Sequence, residues 1–401
     1  GLTSSSALIG CIIGSSLSGL FAVKLGRKNS LIFAGICFFI SAWGSMYPES
    51  WMLTNGKPTL NLLIVFNMYR VLGGIGVGMA SAICPMYIGE VAPSNIRGML
   101  VSWNQFAIIF GQLVVYFVNF IILGGHSNPI YNAAGVIANV ADAHWTITTG
   151  WRYMFGSECI PAALFTVLIC FVPETPRYLV MIKQDEKALN VLSRINGTEQ
   201  AKEILNDIKN TISVKTEKLF SYGFMCIFIG IMLSVFQQAV GINAVLYYAP
   251  RIFQDMGMSN PMVQTVIMGI VNISFTLVAV FTVEKLGRKL LLIWGSIGMA
   301  IGAFGVAITF GNPALNIVTM ICIMIYSASF MFSWGPICWV LIAEIFPNTI
   351  RGTAVAVAVA FQWIFNFIVS STFVPMFNMH LSHGDNFGHW FTYGLYGMIC
   401  V

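Results

Sequence analysis

Apolar residues in this chain come in runs of about twenty, parted by short polar stretches and lacking the alternation of strands. A run of that length crosses a bilayer as a helix. The windows predict spans near 6–23, 30–47, 61–86, 99–123, 153–172, 219–246, 262–283, 290–310, 315–341 and 354–377, and a further run starts near 387. The longest polar stretch, Glu174 to Lys218, carries Ala188, Leu189, Val191, Leu192, Ile195, Ile204, Leu205 and Ile208 at helical spacing. It predicts short amphipathic helices linking two membrane halves. The pattern gives an all-α membrane protein: a helical half over 1–173, linker helices over 174–218 and a second helical half over 219–401.

Composition removes the soluble alternative. Of 401 residues, 57% are hydrophobic and 9% charged, against the roughly 25% charge of soluble domains. The net charge of +5 gains meaning only from its placement. Apart from Lys57, Arg70, Arg152 and Arg251, all lysines and arginines fall in alternate loops, with the linker. The excess of positive charge sets that side in the cytoplasm. No basic, aromatic-interleaved patch points to nucleic acid. The nine cysteines lie in or beside apolar runs without metal-like or C-x-x-C spacing, so neither metal site nor disulfide is expected. The glycines of the stretch Gly73 to Gly78 sit in a membrane span, which predicts close helix packing rather than a nucleotide loop. None of the histidines has metal spacing.

Two signatures occur twice, in the same order. Leu25-Gly26-Arg27-Lys28 recurs as Leu286-Gly287-Arg288-Lys289, and Glu90-x6-Arg97-Gly98 recurs as Glu344-x6-Arg351-Gly352. Parallel repeats of this kind relate the halves of major facilitators. Laying one half on the other predicts a helix before residue 1 and a last helix continuing past Val401. The repeated charges predict cytoplasmic ion pairs, Glu90 with Arg97 and Glu344 with Arg351, made when the halves close. Arg27 and Arg288 of the Gly-Arg-Lys turns, with Glu174 and Arg177 at the start of the linker, complete the expected gate.

Polar groups within the spans are the second source of chemistry, because an unpaired amide in hydrocarbon costs several kcal/mol. Gln112, Gln237, Gln238, Asn243, Asn272 and Gln362 are such groups. Any one could simply bond a neighbouring helix. Together, with Gln237 and Asn243 flanking Gly241, they suit a neutral polyhydroxyl ligand, and Tyr247, Trp339 and Trp363 offer flat apolar faces to its C–H side. Arg70 and Glu158 are ionisable residues inside spans, hence candidates for moving a proton. No nucleophile–base pair or metal cluster occurs at that depth, so no enzyme is expected.

The two repeated signatures, Pro173-Glu174-Thr175-Pro176-Arg177, Gln237-Gln238-x4-Asn243-x3-Tyr247-Tyr248 and Trp334-Gly335-Pro336-x2-Trp339 together resemble the sugar porter family of the major facilitator superfamily. Asn104 to Leu113 and Ser234 to Gln238 look most like bacterial D-xylose:proton symporters. The resemblance implies two six-helix halves and hydrogen bonds to sugar from Gln112, Gln237, Gln238, Asn243, Trp339 and Gln362. It implies that Tyr247 and Trp363 line the pocket, and that Arg70 pairs with a proton-accepting aspartate on the preceding helix. The expectation is proton-coupled uptake of a monosaccharide, D-xylose, across the bacterial inner membrane by alternating access. The protein is expected to be a monomer with no cofactor beyond the coupling proton. A proton-independent facilitator for glucose or another hexose, and a transporter-like sugar sensor, are the alternatives.

Overall fold

The computed structural model describes all residues except 1, 52–59, 94–95, 125–142, 214–223, 258–260, 348–349 and 380–386. Lys57, Lys215 and Lys218 of the charge reading lie outside the described residues. Before the linker come α1 (Leu2–Lys24), α2 (Arg27–Met46), α3 (Leu60–Val91), α4 (Arg97–Leu123), α5 (Trp151–Gly156) and α6 (Cys159–Phe171). The linker folds as α7 (Pro176–Met181), α8 (Asp185–Asn196) and α9 (Thr198–Ser213). After it come α10 (Phe224–Ala239), α11 (Ile242–Tyr247), α12 (Ala249–Asp255), α13 (Pro261–Leu286) and α14 (Arg288–Thr309). The chain then continues through α15 (Asn316–Phe332), α16 (Trp334–Ile345), α17 (Arg351–Phe377) and α18 (Phe387–Cys400). Ten stretches among the described residues are long and apolar enough to cross a membrane.

Three of the predicted runs are not continuous helices. The run 219–246 breaks where Gly241 takes φ +86° and opens α11, a conformation that favours glycine. The run 315–341 breaks at Ser333, three residues before Pro336, which cannot donate to the turn behind it. The run 153–172 breaks at Ser157 and Glu158, just ahead of Pro161.

Small residues set how near the helices come. A Cβ on Gly10 or Gly14 of α1 would collide with backbone atoms of Val71 and Ile75, and one on Gly74 or Gly78 of α3 with Ala7 and Cys11. The backbones of α1 and α3 therefore touch, which is the packing role expected of the Gly73–Gly78 stretch. Ala188, Leu192, Ala201 and Leu205 bury the apolar faces of α8 and α9 against Leu179 and Val180 of α7. The halves meet chiefly through α1 with α17 and α4 with α13. At the end away from the linker, Arg152 pairs with Glu49 at 2.5 Å. That hydrogen bond holds the Glu49 carboxyl below its usual range.

Candidate functional site

The amides of the second half converge on the broken helix. Gln237 donates to the carbonyls of Trp334 and Gly335 at 3.1 and 3.2 Å, across the break between α15 and α16. Its Oε1 accepts from Gln238 at 3.4 Å and from Gln362 of α17. Asn243 closes the chain by donating to Gln238 at 2.6 Å. Gln237, Gln238 and Gln362 are buried, and Oε1 of Gln362 has no protein partner among the described residues. The left-handed Gly241 makes this possible, since it turns Asn243 back toward Gln238 instead of continuing α10.

Other predicted residues sit around this network or away from it. On α4, Gln112 bonds Tyr116 at 2.8 Å, and the Tyr116 hydroxyl reaches the Leu246 carbonyl of the other half at 3.3 Å. Trp363 donates to Ser81 of α3 at 3.0 Å, a second bond between the halves. Trp339, buried, packs in a cluster with Ala82, Ile227 and Val359, beside Trp363. Asn366, which the sequence reading passed over, donates to Tyr247 at 3.4 Å and accepts from Ser370. It lies one turn beyond Gln362 on α17, so the i, i+4 spacing was a usable signal. Asn272 stands apart: its Oδ1 accepts from Ser327 at 2.6 Å in the seam between α13 and α15.

The repeated motifs meet at the linker end, with different partners from those expected. Glu90 accepts from Arg27 at 2.7 Å and Glu344 from Arg288 at 3.0 Å, each within its own half. The pairs with Arg97 and Arg351 are expected when the halves close, and here a cavity parts the halves. Gly26 and Gly287, at φ +86° and +78°, turn the chain so that the next arginine opens a helix beside the carboxylate. Glu174 adds a third layer, accepting from the backbone N–H groups of Arg27, Lys28 and Thr175. A carboxylate so placed satisfies the free donors at the start of α2. A cavity of ≈ 470 Å³ opens between the halves here, lined by Arg27, Glu90, Arg97, Arg177, Glu344 and Arg351, with Trp339 also on its wall.

Arg70 and Glu158 do not form a bridge. The Arg70 guanidinium stacks over the Phe155 ring at 5.1 Å, and Glu158, exposed at the break between α5 and α6, lies within its electrostatic range.

The sugar (and other) transporter family matches residues 1–401. The D-xylose-proton symporter of Escherichia coli is 46% identical over all of this chain and 81% of its own length. A glucose facilitated diffusion protein of Zymomonas mobilis is 33% identical over 96% of this chain and 80% of its own. A solved structure of the proton:xylose symporter XylE bound to 6-bromo-6-deoxy-D-glucose superposes with a TM-score of 0.85. It is 44% identical and covers all of this chain, which spans 83% of it. The chain belongs to the sugar transporter family.

As a member of that family it is a multi-pass membrane protein that transports rather than transforms its substrate, and the substrate class is sugar. Its fold is that of the major facilitators, two helical halves joined by the linker. The amide network lies in the second half of this sugar transporter, and the cavity lies between that half and the first.

Proposed function

We propose that this protein carries D-xylose into the cell together with a proton, by alternating access between two states of the halves. The observation that carries the sugar assignment is the network of Gln237, Gln238, Asn243 and Gln362, gathered from three helices. Its members both donate and accept, which matches a ring of neutral hydroxyls, and Oε1 of Gln362 is a buried acceptor left without a protein partner among the described residues. Trp339, Trp363 and Tyr247 stand beside it to pack the apolar side of the ring. Gln112, bonded to Tyr116 of the first half, is the residue assigned to close the site from that side. The symport by a 46% identical relative supports the coupled reading.

In this reading the linker lies in the cytoplasm of a bacterial inner membrane, the protein works as a monomer, and the cavity at the linker end is the route of release. Arg70 tunes the coupling carboxylate, and Glu158 senses the same charge. Asn272, held by Ser327, serves helix packing. The test is xylose binding and uptake in proteoliposomes. Gln238→Ala removes the acceptor for Asn243 and should weaken xylose binding by at least about tenfold, one lost buried hydrogen bond. Wild-type affinity in that variant would sink the site. Collapse of the pH gradient should abolish accumulation of sugar; unchanged accumulation would sink the coupling.

A further inference from the structure

Tyr116 joins a predicted sugar ligand of the first half to the broken helix of the second. Its hydroxyl lies 2.8 Å from Nε2 of Gln112, one turn back on α4, and 3.3 Å from the Leu246 carbonyl of α11. The sequence explains why that carbonyl is available. A helical carbonyl accepts from the N–H four residues on, and four residues after Leu246 stands Pro250, which has none. Tyr116 supplies the missing donor. Its ring is held in turn: a Cβ on Gly269 of α13 would come within 3.2 Å of it, so the glycine leaves the room that the ring fills.

Counting protons gives this short chain a direction. A phenol has one proton to donate, and a carbonyl can only accept, so the Tyr116 proton goes to Leu246. Toward Gln112 the hydroxyl then offers only lone pairs. The amide meets it with Nε2–H, and Oε1, at the other corner of the amide, is kept as an acceptor. Released from Leu246, the same phenol can donate to Oε1, and the amide loses its reason to prefer one orientation. Both α4 and α10 begin at the linker end. The segment α11, beyond the break in α10, therefore lies on the far side of the amide network from the linker. The bond from Tyr116 to Leu246 lasts only while the halves meet there.

We propose that Tyr116 is a positioning residue for sugar recognition. With the halves together at the end away from the linker, it turns the Gln112 amide so that Oε1 accepts from a sugar hydroxyl; parting the halves there frees the amide to turn. The inference rests on the reading of Gln112 as a sugar ligand, and adds that its orientation is set by contact between the halves.

The test uses Tyr116→Phe, which keeps the ring and removes only the oxygen. Binding to the purified full-length chain is measured for D-xylose and for a set of its analogues in which fluorine, unable to donate, replaces one hydroxyl at a time. Tyr116→Phe should weaken xylose binding by about three- to tenfold, the worth of one hydrogen bond. It should also lower the preference for hydroxyl over fluorine at one ring position and leave the others unchanged. In a Gln112→Ala background the same substitution should change xylose affinity no further, because Tyr116 acts through that amide. Backbone hydrogen exchange over 242–255 should rise in Tyr116→Phe whether or not Gln112 is present, since the contact with Leu246 is lost in both. An equal loss of affinity with and without Gln112 overturns the proposal, as does a loss of fluorine discrimination spread over every ring position. Gln238→Ala separates this inference from the sugar site itself. Impaired binding in Gln238→Ala beside wild-type affinity in Tyr116→Phe sinks the positioning and spares the site; wild-type affinity in both sinks both.

Discussion

The two copies of the Gly-Arg-Lys and Glu-x6-Arg-Gly signatures are nearly the same in sequence and unlike in surroundings. In the first half, Arg27 and Glu90 are 7% and 13% exposed, and Glu174 of the linker braces the turn from behind. In the second, Arg288 and Glu344 are 27% and 44% exposed. A Cβ added at Gly26 would collide with the Glu174 carboxylate and come within 2.7 Å of the Tyr178 ring, whereas one at Gly287 would meet nothing within 4 Å. One motif is thus a buried joint tied to the linker, and the other a looser joint at the surface. The difference teaches that a repeated motif specifies a backbone turn and a charge pair, while the neighbours decide how much the pair is worth.

Breaking the ion pair in each copy gives the largest contrast. Arg27→Gln leaves the Glu90 charge buried without its partner, which costs about 3–5 kcal/mol. Arg288→Gln exposes Glu344 further to solvent and costs about 0–1 kcal/mol. Thermal unfolding of the purified variants should show a large fall in Tm for the first and little change for the second. Equal losses would mean that burial does not separate the two copies.

The same contrast explains what the sequence reveals and what it hides. Membrane helices are legible because a run of about twenty apolar residues has few alternatives. Their breaks are partly legible, since Gly241, Pro161 and Pro336 each stand next to one. Polar residues in apolar runs mark the amide network, but the same signal picks out Asn272, which tertiary packing pairs with Ser327 in another seam. Partner choice is the least legible part. Glu90 and Arg97 belong to one short motif, yet Glu90 takes Arg27 from the other motif, because α2 begins beside the end of α3. Likewise Gln362 finds Gln237 on a different helix. Such pairings depend on how helices pack, which local spacing does not carry.

The turn glycines sharpen the comparison at intermediate size. Either alanine substitution forces a positive φ with extended ψ on a residue with a Cβ, at about 1–3 kcal/mol. Gly26→Ala adds overpacking of about 1–3 kcal/mol against Glu174 and Tyr178. Gly287→Ala should therefore lose less, again read as Tm. A double-mutant cycle isolates the linker's share: in a Glu174→Ala background, Gly26→Ala should cost less than it does alone. It should still exceed the cost of Gly287→Ala, because Tyr178 remains. A Gly26 cost that Glu174→Ala does not alter would remove the linker from the explanation.

The smallest expected effect is the coupling between Arg288 and Glu344. At 27% and 44% exposure both groups are well solvated, so a double-mutant cycle with glutamine at each should give about 0.2–1 kcal/mol. Salt should shrink it further, because the screening length falls from about 10 Å at 0.1 M to about 3 Å at 1 M. The Arg27–Glu90 cycle should keep most of its coupling over the same range, since little solvent reaches that pair. A coupling at Arg288 and Glu344 as large and as salt-resistant as that at Arg27 and Glu90 would show that the second joint is closed in the membrane, and that the asymmetry between the halves belongs to one state of the transport cycle.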